Sequence, residues 1–159
     1  MPNKNISLRP VTADDEGFLL EVYGSTRALE LALTGWDQAQ QDAFIKMQFA
    51  AQQQYYGSAF PQGEHNIILL DGQPVGRIYT AEADDVIRIM DITLLPARRN
   101  GGIGTPIIKE VLARAQAAAK PVQIYVENYN PSLRLFERLG FSGIQDDGFN
   151  LLLEWRSPA

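Results

Sequence analysis

A glycine-rich segment constrains this chain more than any other part of its sequence. Residues 98–105 read Arg-Arg-Asn-Gly-Gly-Ile-Gly-Thr and follow the apolar run of residues 87–96. A β-branched run, a glycine turn and an amphipathic helix in this order predict a strand–loop–helix unit. Glycines let the backbone approach an anion, and the free N–H groups of a first helical turn favour negative charge. The segment therefore predicts a binding site for a phosphorylated ligand.

Two common phosphate-binding patterns do not fit this segment. The dinucleotide pattern needs a third glycine, but Gly102-Ile103-Gly104 is followed by Thr-Pro-Ile. The Walker pattern needs a Lys-Ser/Thr pair after a longer loop, and this loop lacks that lysine, which disfavours a nucleotide hydrolase. The spacing that is present is Arg99-x-x-Gly102-x-Gly104. On these residues alone, a glycine turn that merely starts a helix remains an alternative.

Residues 130–141 carry a second pattern. Asn130 is predicted to cap a helix whose first residue is Pro131. Gly140 is predicted to end that helix in the left-handed conformation, and Phe141 to begin the next strand. The predicted apolar face of the helix consists of Leu135, Phe136 and Leu139.

Together the two patterns resemble the two signatures of the GNAT superfamily of N-acetyltransferases, in the order of that family. The resemblance covers roughly residues 86–154 and is weaker over the N-terminal half, which in this family varies with the substrate. It implies acetyl-CoA as the cofactor, with its pyrophosphate at the glycine loop. The residues implied to contact CoA are Leu94, Leu95, Arg99, Asn100, Gly101, Gly102, Ile103, Gly104, Thr105, Asn130 and Phe136.

The hydrophobic patterning predicts one α/β domain over residues 1–159, with a mixed sheet in the order β-α-α-β-β-β-α-β-α-β-β. Asp71-Gly72 predicts a hairpin turn. The strands on either side of the glycine-loop helix are predicted to be parallel, and the last two strands antiparallel. The predicted strands cover residues 6–11, 66–70, 74–80, 86–95, 122–127, 141–144 and 150–155.

Three of the predicted helices have sequence signals at their start or along one face. Thr12, followed by acidic residues, predicts the start of the first helix. Asp37 or Thr34 is predicted to cap a second helix that runs to about Tyr55, with an apolar face of Phe44, Met47, Phe49 and Ala50. The helix after the glycine loop is predicted to bury Ile103, Ile107, Ile108, Val111, Leu112 and Ala115.

Composition excludes several classes of site. The chain has no cysteine and one histidine, His65, which excludes disulfides, thiol nucleophiles and metal sites built from cysteine or clustered histidine. Its net charge of -5 disfavours general binding to nucleic acid or to an anionic membrane. No apolar run approaches the roughly 20 residues of a membrane span, and residues 1–5 lack an apolar leader. We therefore expect a cytoplasmic protein.

The implied reaction is attack of an amine on a thioester, and it needs a base. An aliphatic amine with a pKa of about 10.4 is mostly protonated at pH 7, and its deprotonation costs roughly 4.6 kcal/mol. Asp91 and Glu127 lie near the carboxyl ends of two predicted strands, where open α/β sheets bind ligands. Both are predicted to be catalytic or to orient the substrate. Asp91 paired with Arg88, and Glu127 as a solvated strand end, remain the alternatives.

The family resemblance also implies a bulge late in the central strand, whose freed backbone N–H polarises the thioester carbonyl. Because Pro96 has no N–H, the donor is predicted to be Leu94 or Leu95. The resemblance implies a tyrosine as general acid four residues before Gly140, but this chain has Phe136 there. Tyr125, Tyr129 or water are the candidate replacements. This departure keeps a second function open, that of a non-catalytic acyl-CoA-binding regulatory module.

The acceptor is predicted to be a primary amine of a small molecule, a peptide or a protein, and the first two helices are predicted to help bind it. The sequence does not choose between an amine held by carboxylates and an acceptor whose own carboxylate meets an arginine. It also does not decide whether exposed strand edges pair two copies into a homodimer. The candidate acceptor residues are Trp36, Tyr55, Tyr56, Glu21, Glu30, Asp37, Arg9 and Arg27.

Overall fold

The computed structural model describes residues 5–128 and 130–158. Its seven strands form one mixed sheet in the order β1-β2-β3-β4-β5-β7-β6, which confirms the predicted fold class. The strands are β1 (Ile6–Pro10), β2 (Glu64–Leu70), β3 (Gln73–Glu82), β4 (Ile87–Leu94), β5 (Val122–Glu127), β6 (Ser142–Asp146) and β7 (Asn150–Trp155). The helices are α1 (Glu16–Ser25), α2 (Ala28–Ala32), α3 (Gln38–Ala59), α4 (Gly104–Ala118) and α5 (Leu133–Arg138).

The structure has one helix that the predicted order of elements did not include. The short helix α2 separates α1 from α3, and 3-10 turns over Ala13–Asp15 and Pro96–Arg98 lead into α1 and follow β4. Among the described residues, no helix has both the length and the apolar character needed to cross a bilayer. The chain forms two compact units. The first contains the residues up to Ile78 together with Ile92–Arg99. The second contains Tyr79–Asp91 together with the residues from Asn100 onward.

In the first unit, β1 and β2 pair antiparallel, with Ile6 opposite Leu70. Asp71 and Gly72 have φ angles of 51° and 81°, as a tight hairpin turn with two left-handed residues requires, so the predicted turn is confirmed. Thr12 and Asp15 form a capping box at the predicted start of the first helix. One hydrophobic cluster of the unit consists of Leu19, Tyr23, Phe49 and Ile67, surrounded by Val11, Phe18, Leu20, Ile45 and Leu69.

The predicted apolar face of α3 is wrong at Met47 and Ala50, whereas Phe49 is buried and Phe44 is partly buried. Met47 is 62% exposed and Ala50 is exposed as well. The inner face of α3 instead carries Gln52 and Gln53, three and four residues after Phe49. These amides accept hydrogen bonds of 2.7 and 3.1 Å from the buried guanidinium of Arg77 on β3. A buried charge on the strand therefore selects polar residues on the helix that covers it.

In the second unit, β4 and β5 are parallel and α4 connects them, as predicted. All six predicted inward residues are buried, namely Ile103, Ile107, Ile108, Val111, Leu112 and Ala115. β5 pairs antiparallel with β7 from Val122 opposite Trp155 to Glu127 opposite Asn150, and β7 pairs antiparallel with β6. The paired register of β4 and β5 covers Ile87–Ile89 and Val122–Ile124. In the described chain, the carboxyl ends of both strands therefore extend beyond their shared ladder.

Helix α5 begins later than predicted, because its N-cap is Ser132 and not Asn130. The side-chain oxygen of Asn130 still accepts the backbone N–H of Ser132 at 2.9 Å, and so orders the turn before the helix. At the other end, Gly140 has a φ of 99° as predicted. The N–H groups of Phe141 and Gly140 donate to the carbonyls of Phe136 and Glu137, which is the Schellman arrangement.

Candidate active site

The glycine loop ends at an open helix N-terminus. Asn100 and Gly102 have left-handed φ angles of 61° and 77°, and α4 begins at Gly104. In the described structure, a Cβ built on Gly102 would have no heavy atom within 4 Å, so this face of the loop is open space. The N-cap position is occupied by Ile103, whose side chain offers no acceptor to the first N–H groups of the helix.

These features fit an anionic ligand. The first turn of α4 is Gly104-Thr105-Pro106, so it carries no carboxylate that would repel an anion. Pro106 lies in a turn whose N–H groups have no partner inside the helix, which makes its missing N–H tolerable there. Ile103 is 2% exposed as a whole residue, so its side chain does not face a ligand. The loop can therefore offer backbone N–H groups and the Thr105 hydroxyl to a phosphate.

In the first unit, hydrogen bonds from Leu95 and Arg99 hold the chain at the end of β4. The N–H of Leu95 donates to the carbonyl of Val75 at 2.8 Å. The Nε of Arg99 donates to the carbonyl of Leu94 at 3.2 Å. Of the two backbone groups predicted to polarise a carbonyl, the N–H of Leu95 is therefore already engaged.

The two faces of the sheet in the second unit differ in chemistry. The guanidinium of Arg88 donates to Gln123 at 2.9 Å and lies 5.3 Å from the ring centre of Tyr125, so these three side chains share one face. Gln123 donates in turn to Glu154 at 2.7 Å, which lowers the pKa of that carboxyl. The opposite face carries the buried Ile87 and Ile89, together with Val122, Ile124 and Val126 of β5.

Asp91 and Glu127 belong to opposite faces by strand alternation. Asp91 follows Ile87 and Ile89 at intervals of two residues, and Glu127 follows Gln123 and Tyr125 in the same way. Both side chains are partly exposed. One ligand that approaches a single face of the sheet therefore meets one of these carboxylates and not both.

Phe136, at the position where the family resemblance implies a tyrosine, is buried. Its side chain is 1% exposed, and its ring makes an edge-on contact with Phe141 at 5.3 Å between centroids. Its side chain leaves almost no surface for a ligand. Of the candidate replacement acids, Tyr125 is 52% exposed, and Tyr129 lies outside the described residues.

The aromatic residues predicted for the acceptor do not meet in one pocket. Trp36 precedes the N-cap of α3 and contacts Phe44 edge-on at 5.2 Å. Tyr55 and Tyr56 lie near the other end of the same helix, with ring centroids 5.9 Å apart. At 1.5 Å per residue, about 28 Å of helix separates Trp36 from Tyr55.

Several charged residues predicted for the acceptor have structural contacts instead. Asp37 accepts the N–H of Gln40 at 2.8 Å and caps α3. Arg9 binds Asp15 through two hydrogen bonds of 2.8 and 2.9 Å, which hold the pKa of the Asp15 carboxyl well below its usual range. Arg27 pairs with Glu30 at 3.4 Å and lies over the ring of Tyr23. Glu21 is exposed on α1.

A known protein family has a model that matches the part of the chain with the glycine loop. The model of the acetyltransferase (GNAT) family matches residues 28–141, which is more than half of the chain. The chain belongs to the GNAT acetyltransferase family. The matched range includes both the glycine loop and the segment from Asn130 to Phe141 that carried the resemblance in the sequence.

Solved structures share the fold of this GNAT protein at low sequence identity. The PaiA N-acetyltransferase of Thermoplasma acidophilum, in complex with coenzyme A, has a TM-score of 0.73 and 16% identity over 96% of this chain and 99% of its own. A GNAT family acetyltransferase of Elizabethkingia anophelis with acetyl-CoA bound has a TM-score of 0.57 and 18% identity over 96% and 99%. An acetyltransferase of Thermus thermophilus has a TM-score of 0.67 and 19% identity over 96% and 97%. No curated protein sequence matches this chain.

Proposed function

We propose that this GNAT protein transfers the acetyl group of acetyl-CoA to a primary amine of a small molecule, a peptide or a protein. The observation that carries the proposal is the open N-terminus of α4, preceded by the left-handed residues Asn100 and Gly102. Such a helix end offers several N–H groups and a favourable dipole to the pyrophosphate of CoA. Two structural neighbours have coenzyme A or acetyl-CoA bound, which supports the same donor here.

In this proposal, backbone groups bind the donor. The N–H groups from Gly101 to Thr105 hold the pyrophosphate, and Arg99, which directly precedes the loop in the sequence, adds a positive charge. The N–H of Leu94 donates to the thioester oxygen and stabilises the negative charge that develops there. Acetyl-CoA supplies an activated acyl carbon and a thiolate that can leave.

The amine attacks the acyl carbon directly. A C–N bond forms, the C–S bond breaks, the electron pair leaves with the sulfur, and a carboxylate receives the amine proton through a water molecule. Asp91 and Glu127 are the two candidate bases, and such a base contributes about 10²–10⁴-fold in rate. Because the reference pKa of a thiol is about 8.5, the thiolate can leave without a tyrosine acid.

The buried Phe136 favours a second candidate, a regulatory module that binds acyl-CoA without turnover. Both candidates require the glycine loop, so affinity for CoA does not separate them. Turnover does, because only the transferase releases free CoA when an amine is added.

The experiment is a thiol-release assay with acetyl-CoA and a panel of amines, amino acids, polyamines and N-terminal peptides. The chain has no cysteine, so the thiol reagent reports only free CoA. Amine-dependent release that tracks protein concentration supports the transferase and identifies the acceptor class. CoA binding in the absence of any release supports the regulatory module, and absence of CoA binding contradicts both candidates.

A further inference from the structure

We propose that Gly76 on β3 is a positioning residue that sets the direction of the Leu94 N–H group. This inference rests on the proposed function, in which that N–H donates to the acetyl carbonyl. A glycine within an apolar strand points to a close backbone approach. Only the structure shows which backbone approaches it.

The peptide bond between Thr93 and Leu94 occupies the space of a side chain at Gly76. A Cβ built on Gly76 would lie 2.3 Å from the carbonyl oxygen of Thr93 and 3.0 Å from the Cα of Leu94. It would also lie 2.9 Å from Cδ2 of Leu94. The first two atoms belong to the backbone and cannot move by a change of rotamer. Any residue larger than glycine therefore displaces this peptide.

The same contact fixes the direction of the peptide. The carbonyl oxygen of Thr93 is the atom closest to the Cβ position of Gly76, so this carbonyl points towards β3. No peptide bond is cis among the described residues, and in a trans peptide the N–H points opposite to the C=O. The N–H of Leu94 therefore points away from β3.

A second bond holds the neighbouring peptide. The carbonyl of Val75, the residue before Gly76, accepts the N–H of Leu95 at 2.8 Å. Val75 thus fixes the peptide between Leu94 and Leu95 by a hydrogen bond. Gly76 fixes the preceding peptide, because the absence of a side chain leaves space for it. A backbone donor held in this way needs no reorganisation when charge develops on the substrate.

Gly143 on β6 provides a matched control. It is also a strand glycine, but a Cβ built there has no heavy atom within 4 Å in the described structure. A Gly143→Ala change therefore adds the same methyl group to a strand without moving a neighbouring peptide.

The test compares the wild type with Gly76→Ala and Gly143→Ala. We expect Gly76→Ala to lower the rate of acetyl-CoA turnover by about 10²-fold, the loss typical of one missing oxyanion donor. Its affinity for free CoA, measured by calorimetry, should stay within about threefold, because the pyrophosphate is bound elsewhere. Gly143→Ala should match the wild type in both measurements.

Infrared spectroscopy provides a readout that a loss of stability alone would not change. Acetyl-CoA labelled with ¹³C at the thioester carbonyl should show a lower C=O stretching frequency when bound to the wild type than when free. In Gly76→Ala the bound frequency should return towards the free value. A wild-type frequency and rate in Gly76→Ala would overturn the inference while leaving the proposed function intact.

Failure of the proposed function gives a different result. In that case the wild-type protein neither binds acetyl-CoA nor shifts the carbonyl band of the ligand. This result would contradict both the proposed function and the inference. If Gly76→Ala does not fold, the inference is tested by the NMR amide resonance of Leu94 in the wild type. We expect it to move downfield with acetyl-CoA and not with CoA, and an equal response to both ligands would overturn the inference.

Discussion

Gly102 and Gly35 have nearly the same φ angle, 77° and 75°, and a Cβ on either has open space around it in the described structure. Only Gly102 lies in the loop before α4. A Gly102→Glu change places a negative charge where the pyrophosphate is proposed to bind, and we expect CoA binding to fall below detection by calorimetry. Gly35→Glu adds the same charge at another glycine with a positive φ angle, and should retain binding. A folded Gly102→Glu variant with wild-type CoA affinity would contradict the loop assignment.

Asp91 and Glu127 can be separated by isosteric amides. Because the two residues belong to opposite faces of the sheet, we expect one of Asp91→Asn and Glu127→Gln to lower kcat by about 10²–10⁴-fold and the other by less than about tenfold. The pH profile of kcat/KM should lose its acidic limb only in the impaired variant. Equal large losses would contradict the assignment to opposite faces, and two active variants would contradict a carboxylate base.

The burial of Phe136 predicts the effect of restoring the family's tyrosine. A Phe136→Tyr change places a hydroxyl beside Phe141, in a site 1% exposed, and we expect it to cost about 1–3 kcal/mol of unfolding free energy without raising kcat. Phe149→Tyr makes the same change at a residue that is 78% exposed and should leave stability unchanged. A faster Phe136→Tyr enzyme of normal stability would show that the hydroxyl reaches the leaving sulfur.

At the scale of elements, α3, β2 and β3 meet around a group of polar side chains. Gln53 contacts the ring of His65 on β2 at 3.4 Å and also accepts a hydrogen bond from the buried Arg77. Burial and the charge of Arg77 lower the pKa of His65 to about 4, while Asp15 acts in the opposite direction. The folded chain therefore keeps His65 neutral at pH values where the unfolded chain already protonates it.

This difference predicts a pH dependence of stability. Between a pH of about 6.5 and about 4, the unfolded state binds the additional proton, so the free energy of unfolding falls as the pH falls through this range. We expect the melting temperature to drop by a few degrees from about pH 7 to about pH 5, and His65→Gln to flatten this dependence. A His65→Gln variant with the full wild-type slope would assign the effect to other groups.

The elements differ in how far the sequence predicted them. The inward face of α4 was predicted completely, because its burial follows the helical period of its own apolar residues. The face of α3 was predicted only in part, since two of the residues that point inward are amides that bind an arginine 24 and 25 positions away. Asn130 orders the turn but does not cap α5, because its side chain bonds to the residue two positions on and the helix starts after that turn.

At the scale of the whole molecule, binding of the donor should raise the stability of the fold. A ligand that binds only the folded state at about 100 times its Kd contributes about 2.7 kcal/mol. For a chain of this length we expect acetyl-CoA to raise the melting temperature by roughly 5–11 °C in a thermal scan. The Gly102→Glu variant should show no such rise. A wild-type melting temperature unchanged by millimolar acetyl-CoA would contradict the proposed donor.

The sequence by itself determined the features whose physics is local. Residues close together in the sequence specify the left-handed glycines, the start of α4 and the apolar periods. The glycine loop and the fold class could therefore be predicted from the sequence. The tertiary structure alone decided which backbone meets Gly76, which sheet faces Asp91 and Glu127 occupy, and what surrounds Arg77. Each of these depends on strand register or on contacts between residues distant in sequence, which no local pattern specifies.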